Sequence, residues 1–356
     1  MIDHSFYRKM GEDGIRSMYD RSRDPAEVLD AVMASRSSFV SIDQIETTNA
    51  CNMKCIMCPR GAPNLMTRKV QAMDRELFRS LVDQIVVAEG AKAASGGGRD
   101  DFLRDPPPAL AWPGSNYDVT GLRLHHFGSP TLDPHLLERV QYVKEHASFP
   151  VQFSDTIVNM RLETAKELFR LKLDRLIVCL DGTTAEDFER VRGVRVPSFE
   201  TMIQRMHDIV AAKETLGAAT KLDVQLIKMS RAPQESFIRD WGTVPGVDVH
   251  IKPFFPYPDV PHDLATAGDT VFQHDCRIPL TSLTVLSDGR VVPCNSDYNG
   301  EQSLGDTKTQ TLQEIWNSRG VIDFCRRFIL NLFEKNDLCN RCGFYPHSSI
   351  GQSHQS

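Results

Sequence analysis

Three cysteines, Cys51, Cys55 and Cys58, fall within eight residues just after a strand-like run, and no other stretch constrains the folding of the 356-residue chain so strongly. Thiols this close together, beside Asn49, Asn52 and Lys54, do not read as part of a packed strand; they read as ligands of one metal cluster. A four-iron cluster normally takes four protein thiolates. This loop has no nearby fourth, so one iron is left for an exogenous ligand. A loop at the C-terminal end of a strand suits an α/β barrel, whose sites gather at that face.

The rest of the chain reads as strand and helix in alternation. The first strand candidate runs from Phe39 to Thr47, and later ones from Leu122 to Phe127, Val151 to Ser154, Leu176 to Leu180, Leu222 to Ile227 and Val247 to Phe254. Between them lie a helix capped by Asp74 with Leu77, Phe78, Leu81 and Ile85 on one face, and another opened by Asp133 and Pro134. Further helices are expected over Leu162 to Leu171, Phe199 to Ala212 and Glu235 to Trp241. Six β/α units imply a parallel sheet with crossover helices. The stretch 91–118, with Ser95-Gly96-Gly97-Gly98 and Pro106-Pro107-Pro108, is too long and too rich in Gly and Pro for a barrel connection, and is expected to be an irregular insertion, either a lid or disordered. Before the barrel, a helical extension over 1–38 carries one short helix with Pro25 at its start.

A net charge of −6 with no basic run argues against a nucleic-acid surface. No apolar run approaches the ~20 residues that cross a bilayer, and the N-terminus lacks the order of a signal peptide. The expectation is a cytoplasmic protein with no membrane and no nucleic-acid partner. Nine cysteines in such a compartment point to metal or catalytic use rather than disulfides.

Beyond about residue 265 the pattern changes. A hairpin over Leu283 to Val292, turning at Asp288-Gly289, lies between Cys276 and Cys294, and Thr311 with Glu314 forms a capping box before Cys339 and Cys342. Four thiols at Cys276, Cys294, Cys339 and Cys342 close a site completely, and by chemistry alone they fit a structural zinc or an iron-sulfur cluster. Cys179, in an apolar strand, reads by default as a small buried hydrophobe, and Cys325 as a helix-face residue.

The C-x3-C-x2-C loop followed by Pro59 resembles the signature of the radical S-adenosylmethionine (SAM) superfamily, and the hairpin cysteines with the later C-x2-C pair resemble its auxiliary-cluster region, called SPASM when complete and twitch when shortened. The resemblance implies a partial (β/α)6 TIM-like barrel over 39–265 and a small C-terminal α+β iron-sulfur domain over 266–356 in the shortened form. It also implies two [4Fe-4S] clusters, one on Cys51, Cys55 and Cys58 and one on Cys276, Cys294, Cys339 and Cys342, together with SAM. Contacts to SAM are carried onto Met57, Gly128, Ser129, Ser154 and Arg192. The family's Gly-Gly-Glu-Pro-like turn reads Phe127-Gly128-Ser129-Pro130 here, with Ser129 where the family has Glu.

The chain is further similar to the class of radical dehydrogenase that oxidises an aminocyclitol in butirosin antibiotic biosynthesis. That similarity implies an oxidoreductase in which a 5′-deoxyadenosyl radical takes hydrogen from a secondary alcohol of a sugar or aminocyclitol, with the auxiliary cluster accepting an electron. A flavodoxin or ferredoxin is the expected electron donor. Lys228, His250 and Lys252, together with His125, His126 and Gln225, are candidate substrate contacts near the ends of the expected strands. The alternatives are a radical epimerase with Cys179 or Cys325 as hydrogen donor, a peptide or protein side-chain maturase, and a non-enzymatic binding protein carrying a metal or cluster. For the maturase, 38 residues before the barrel are few for a leader-binding domain.

Overall fold

The computed structural model describes Met10 and residues 23–94, 121–193, 197–228, 234–254, 257–260, 276 and 278–343. Six strands lie parallel in sequence order: β1 (Ile42–Ile45), β2 (Leu122–Arg123), β3 (Val151–Asp155), β4 (Arg175–Cys179), β5 (Lys221–Lys228) and β6 (Asp248–Pro253). Helices α2 (Arg75–Ala94), α3 (Leu136–His146), α4 (Leu162–Arg170), α5 (Ala185–Arg192), α6 (Phe199–Thr215) and α7 (Gln234–Gly242) fall in the connections, after a first helix α1 (Pro25–Ser35). The result is an open barrel of β/α units, as expected, with Leu176, Val178, Leu222 and Val224 buried in one core with Leu168, Met202, Met206 and Ile209 of the helices.

The local starts follow from chemistry already visible in the chain. Asp74 Oδ1 accepts from Leu77 N at 2.9 Å, Thr184 caps α5 and Ser198 caps α6, each satisfying an amide that lacks an intrahelical partner. The expected β2 ends early. After Arg123, Leu124 N still donates to Gln152 O, but Ser154 N is then taken by the His125 side chain at Nδ1 rather than by a backbone carbonyl. The expected insertion also begins later than residue 91, because α2 continues to Ala94; the remainder, 95–118, lies outside the described residues.

The C-terminal segment does more than stand beside the barrel. Its hairpin, β7 (Leu283–Val285) and β8 (Arg290–Val292), turns at Gly289 with φ +91°, and β7 pairs in parallel with β1. With β9 (Gly305–Asp306), this makes one nine-stranded sheet in the order β6-β5-β4-β3-β2-β1-β7-β8-β9. An otherwise unpaired edge of β1 is thereby covered. A short helix α8 (Ile278–Thr281) precedes the hairpin; α9 (Leu312–Trp316), opened by the Thr311–Glu314 capping box, and α10 (Arg319–Ile329) follow it. The N-terminal extension is clamped onto this end. Arg36 lies over the Trp316 ring at 3.7 Å and donates to its carbonyl oxygen, while Trp316 Nε1 donates to Ser37 O. No helix among the described residues is long and apolar enough to cross a membrane.

Candidate active site

β1 delivers the chain through the buried residues Glu46, Thr47, Thr48 and Asn49 into the three-cysteine loop. The loop is fixed by backbone groups. Lys54 N donates to Arg192 O at 3.2 Å and Ile56 N to Val191 O at 3.0 Å, so carbonyls at the end of α5 grip it. Gly61 is obligatory, since a Cβ there would stand 2.1 Å from Cys55 O. Asn52 and Asn159 exchange amide hydrogen bonds of 3.0 and 3.1 Å, tying the loop to the segment after β3. Cys55 is buried and Cys51 and Cys58 are half-buried. Burial, reinforced by the neighbouring Cys55, pushes the Cys51 thiol up and the Cys58 thiol up to about 12, so binding iron must displace their protons.

Gly128 lies where a Cβ would meet Thr48 O at 2.0 Å, and Ser129 N donates to Ala50 O at 2.8 Å. The turn after β2 therefore packs directly on the chain entering the cysteine loop. Ser129 Oγ donates to Asp155 Oδ2 at 2.7 Å, and Asp155 also accepts from Thr131 and from Ile157 N. Five other buried carboxylates, Asp43, Glu46, Asp133, Asp181 and Asp223, each pair with an arginine, whereas these donors to Asp155 are all uncharged. Burial raises the Asp155 carboxyl, and those hydrogen bonds partly offset it. Asp155 was missed by sequence reasoning. Its signal was the Ser at the family's Glu position, which called for a carboxylate from elsewhere. Met57 is buried in the core beneath the loop, and Ser154 N is held by His125.

Arg192 is buried, and its guanidinium is committed to the protein. Nη1 donates to Cys55 Sγ at 3.3 Å, Nη2 to Asp181 and Cys179 O, and Nε lies 3.5 Å from Leu180 O. Cys179 differs from its default reading: it is half-buried at the inward C-terminal end of β4, its Sγ accepts from Gln225 Nε2 at 3.4 Å, and burial, with Asp181 nearby, lifts its thiol to about 12. Lys252, on β6, is close enough to act on Cys179 and on His125. His125 is held well below its ordinary range by burial and by Arg123 and Lys252, and His250 is lowered to about 4 by burial, Lys252 and Arg175. Lys228 ends β5. Cys325 lies elsewhere, fully buried on α10 with Sγ 3.8 Å from Pro279 O, so its place is in the core and not in the mouth.

The second thiol set does converge. Cys294, Cys339 and Cys342 are buried and Cys276 half-buried; burial raises Cys294 and Cys339, and the other thiols of the set add to it. Among the described residues, no group of His, Cys, Asp and Glu closes to the dimensions of a single metal ion. The set is joined to the mouth through Glu46. This fully buried carboxylate accepts two 2.7 Å bonds from Arg68 and one of 3.0 Å from Ser287 N of the hairpin, and lies 3.1 Å from His126 Nδ1. His126 Nε2 lies 2.9 Å from the carbonyl oxygen of Asn295, next to Cys294. Burial works against its charge, but His126 and Arg68 hold the Glu46 carboxyl well below the carboxylate range. These polar residues form no motif, so sequence reasoning missed Glu46 and Arg68 entirely.

Residues 276–343 match the SPASM family, described as an iron-sulfur cluster-binding domain, and the match encloses all four thiols. No curated protein sequence matches the chain. Among solved structures, it is similar to Streptococcus suis SuiB bound to S-adenosylmethionine, at 13% identity and a TM-score of 0.55, covering 99% of this chain and 85% of that one. It is also similar to anSMEcpe with bound AdoMet and the Cp18Cys peptide, at 13% identity and 0.52, covering 85% and 87%. BtrN in complex with AdoMet and 2-DOIA aligns at 16% identity and 0.49, covering 85% and 92%. A partial barrel with three thiols on the loop after its first strand, continued by a four-thiol iron-sulfur domain, is the architecture of radical SAM enzymes with a SPASM-type domain. Its resident groups are SAM and two iron-sulfur clusters, and the donor sets here fit them: three thiols on a glycine-shaped loop beside a mouth, and four in a buried pocket.

Proposed function

We propose that the protein is a radical SAM dehydrogenase that oxidises a secondary alcohol of a sugar or cyclitol to a ketone. When bound, SAM and the first cluster supply a 5′-deoxyadenosyl radical, and the auxiliary cluster supplies an electron acceptor. The single observation that carries the reading is the Glu46–His126–Asn295 path, which seats the four-thiol site directly against the barrel mouth. In this reading Cys51, Cys55 and Cys58 hold the first cluster, and Cys276, Cys294, Cys339 and Cys342 the second. Gly128 lets the cofactor turn pack on the loop, and Asp155, aligned by Ser129, faces the methionine amino group. His125, Gln225 and Lys252 contact the substrate. His125 is held neutral and so can accept a hydrogen bond from a hydroxyl. The cations Arg123 and Lys252 favour a neutral polyol over a substrate whose ammonium groups meet that wall. A small acidic electron carrier of the flavodoxin or ferredoxin type provides the reducing electron.

A second reading, modification of a peptide side chain, is supported by SuiB and anSMEcpe, both of which have been seen with a bound peptide. Anaerobic reconstitution, reduction, and mass analysis after incubation with a panel of sugars, cyclitols and short peptides separates the two. Loss of two hydrogens from a polyol alongside 5′-deoxyadenosine supports dehydrogenation. An unchanged mass with deuterium taken from solvent makes it an epimerase, with Cys179 as the hydrogen donor, and absence of 5′-deoxyadenosine removes the enzyme reading altogether.

A further inference from the structure

We infer that Arg192 is a positioning residue for the first cluster: its guanidinium donates a hydrogen bond to the Cys55 ligand and thereby raises that cluster's reduction potential, rather than binding the carboxylate of SAM. The inference rests on the reading of Cys51, Cys55 and Cys58 as cluster ligands. Three observations converge on it. Nη1 of Arg192 reaches Cys55 Sγ at 3.3 Å, the one cysteine of the loop that is buried. The remaining donors are spent on Asp181, Cys179 O and Leu180 O, so the side chain has no face left for a ligand carboxylate. Asp181 is itself pinned: it sits at φ +49° and its Oδ1 accepts from Ile227 N at 2.6 Å, which fixes where the guanidinium fork can point.

The location explains why a cation is needed. Carbonyls at the C-terminus of α5 aim at the cysteine loop and bind Lys54 N and Ile56 N. A helix C-terminus carries partial negative charge, which opposes adding an electron to a thiolate-bound cluster. A buried guanidinium at the same helix end offsets it, and hydrogen bonds to cluster sulfurs are a recognised lever on potential. Arg192 is thus joined to the loop twice, by its carbonyl through Lys54 and by its side chain through Cys55.

The test is an EPR-monitored redox titration of the reconstituted full chain without SAM, with the first-site signal identified as the one missing from Cys55→Ala. Arg192→Gln is expected to shift that signal to more negative potential, so that at a fixed reductant poise at least tenfold less of the site is reduced, while the second-site signal stays in place. An unchanged potential with weakened SAM binding would make Arg192 a cofactor-carboxylate ligand and overturn the inference. Should Arg192→Gln fail to hold iron at the loop, Arg192→Lys is read instead. A single ammonium cannot serve Asp181 and Cys55 together with the geometry of the fork, so a smaller negative shift is expected, and no shift overturns the inference. If the unaltered protein takes up iron only at the second site, the cluster assignment itself has failed and the inference falls with it.

Discussion

The two thiol sites differ in how the chain holds them. The three-cysteine loop is fixed from outside by backbone: carbonyls of α5, the bare Cα of Gly61, and the amide pair of Asn52 and Asn159. Two of its thiols remain half-exposed. The four-thiol site is assembled from three separate stretches of chain, with three of its thiols buried. An open site must be stiff without its cluster, because the missing ligand has to come and go. A closed site can draw its order from the metal. The largest test of that contrast is Cys55→Ala, which is expected to abolish 5′-deoxyadenosine formation while iron remains at the second site. Retained cleavage would refute the assignment of the loop.

The reciprocal change is expected to separate the two roles. In Cys339→Ala/Cys342→Ala, the first site should still cleave SAM, whereas two-electron oxidation of substrate should fall by at least tenfold, visible as 5′-deoxyadenosine formed without ketone. Equal loss of both products would show that the second site supports the fold alone.

The joint between the sites can be cut as well. In Glu46→Gln, buried Arg68 loses its charge partner and Ser287 N an anionic acceptor. Breaking a buried pair from one side costs about 3–5 kcal/mol, to be read from chemical denaturation of the full chain. A loss below ~1 kcal/mol would mean that barrel and hairpin are joined only by the β1–β7 ladder.

That joint marks where the sequence stopped being legible. Strands and helices were visible from their periodicity, and the cysteine loop, the Asp288-Gly289 turn and the Thr311–Glu314 capping box from their spacing, because each is a local pattern. The pairing of Ile42 with Leu283 links residues far apart along the chain and leaves no local trace. Glu46, Arg68 and His126 look individually like ordinary strand-end polar residues, and only the fold reveals that they meet. Arg192 was singled out, but nothing in its spacing could say that Cys55 was its partner.

The barrel should also respond to acid through a group the iron-sulfur domain lacks. His250 titrates at about 4 in the fold against about 6.5 when unfolded, because burial, Lys252 and Arg175 disfavour its charge. Between those values the unfolded chain binds the extra proton, so stability rises with pH and is lost as pH falls from about 6.5 towards 4. The His250 contribution is on the order of 2–3 kcal/mol. Replacing it with Gln should flatten the pH dependence of the barrel's unfolding in that window, leaving the second site's iron release unchanged. A slope as steep as before would place the titration elsewhere.

The smallest expected effect separates the two sites most cleanly. Gly193 ends α5 at φ +67°, and a Cβ there would stand 2.4 Å from Lys54 O. Gly193→Ala therefore combines about 1–2 kcal/mol of backbone strain with displacement of the loop it supports. If the open site depends on a preformed backbone, this change should slow iron uptake there several-fold and leave uptake by Cys276, Cys294, Cys339 and Cys342 as it was. Equal slowing at both sites would mean that the loop, like the closed site, is shaped by its metal.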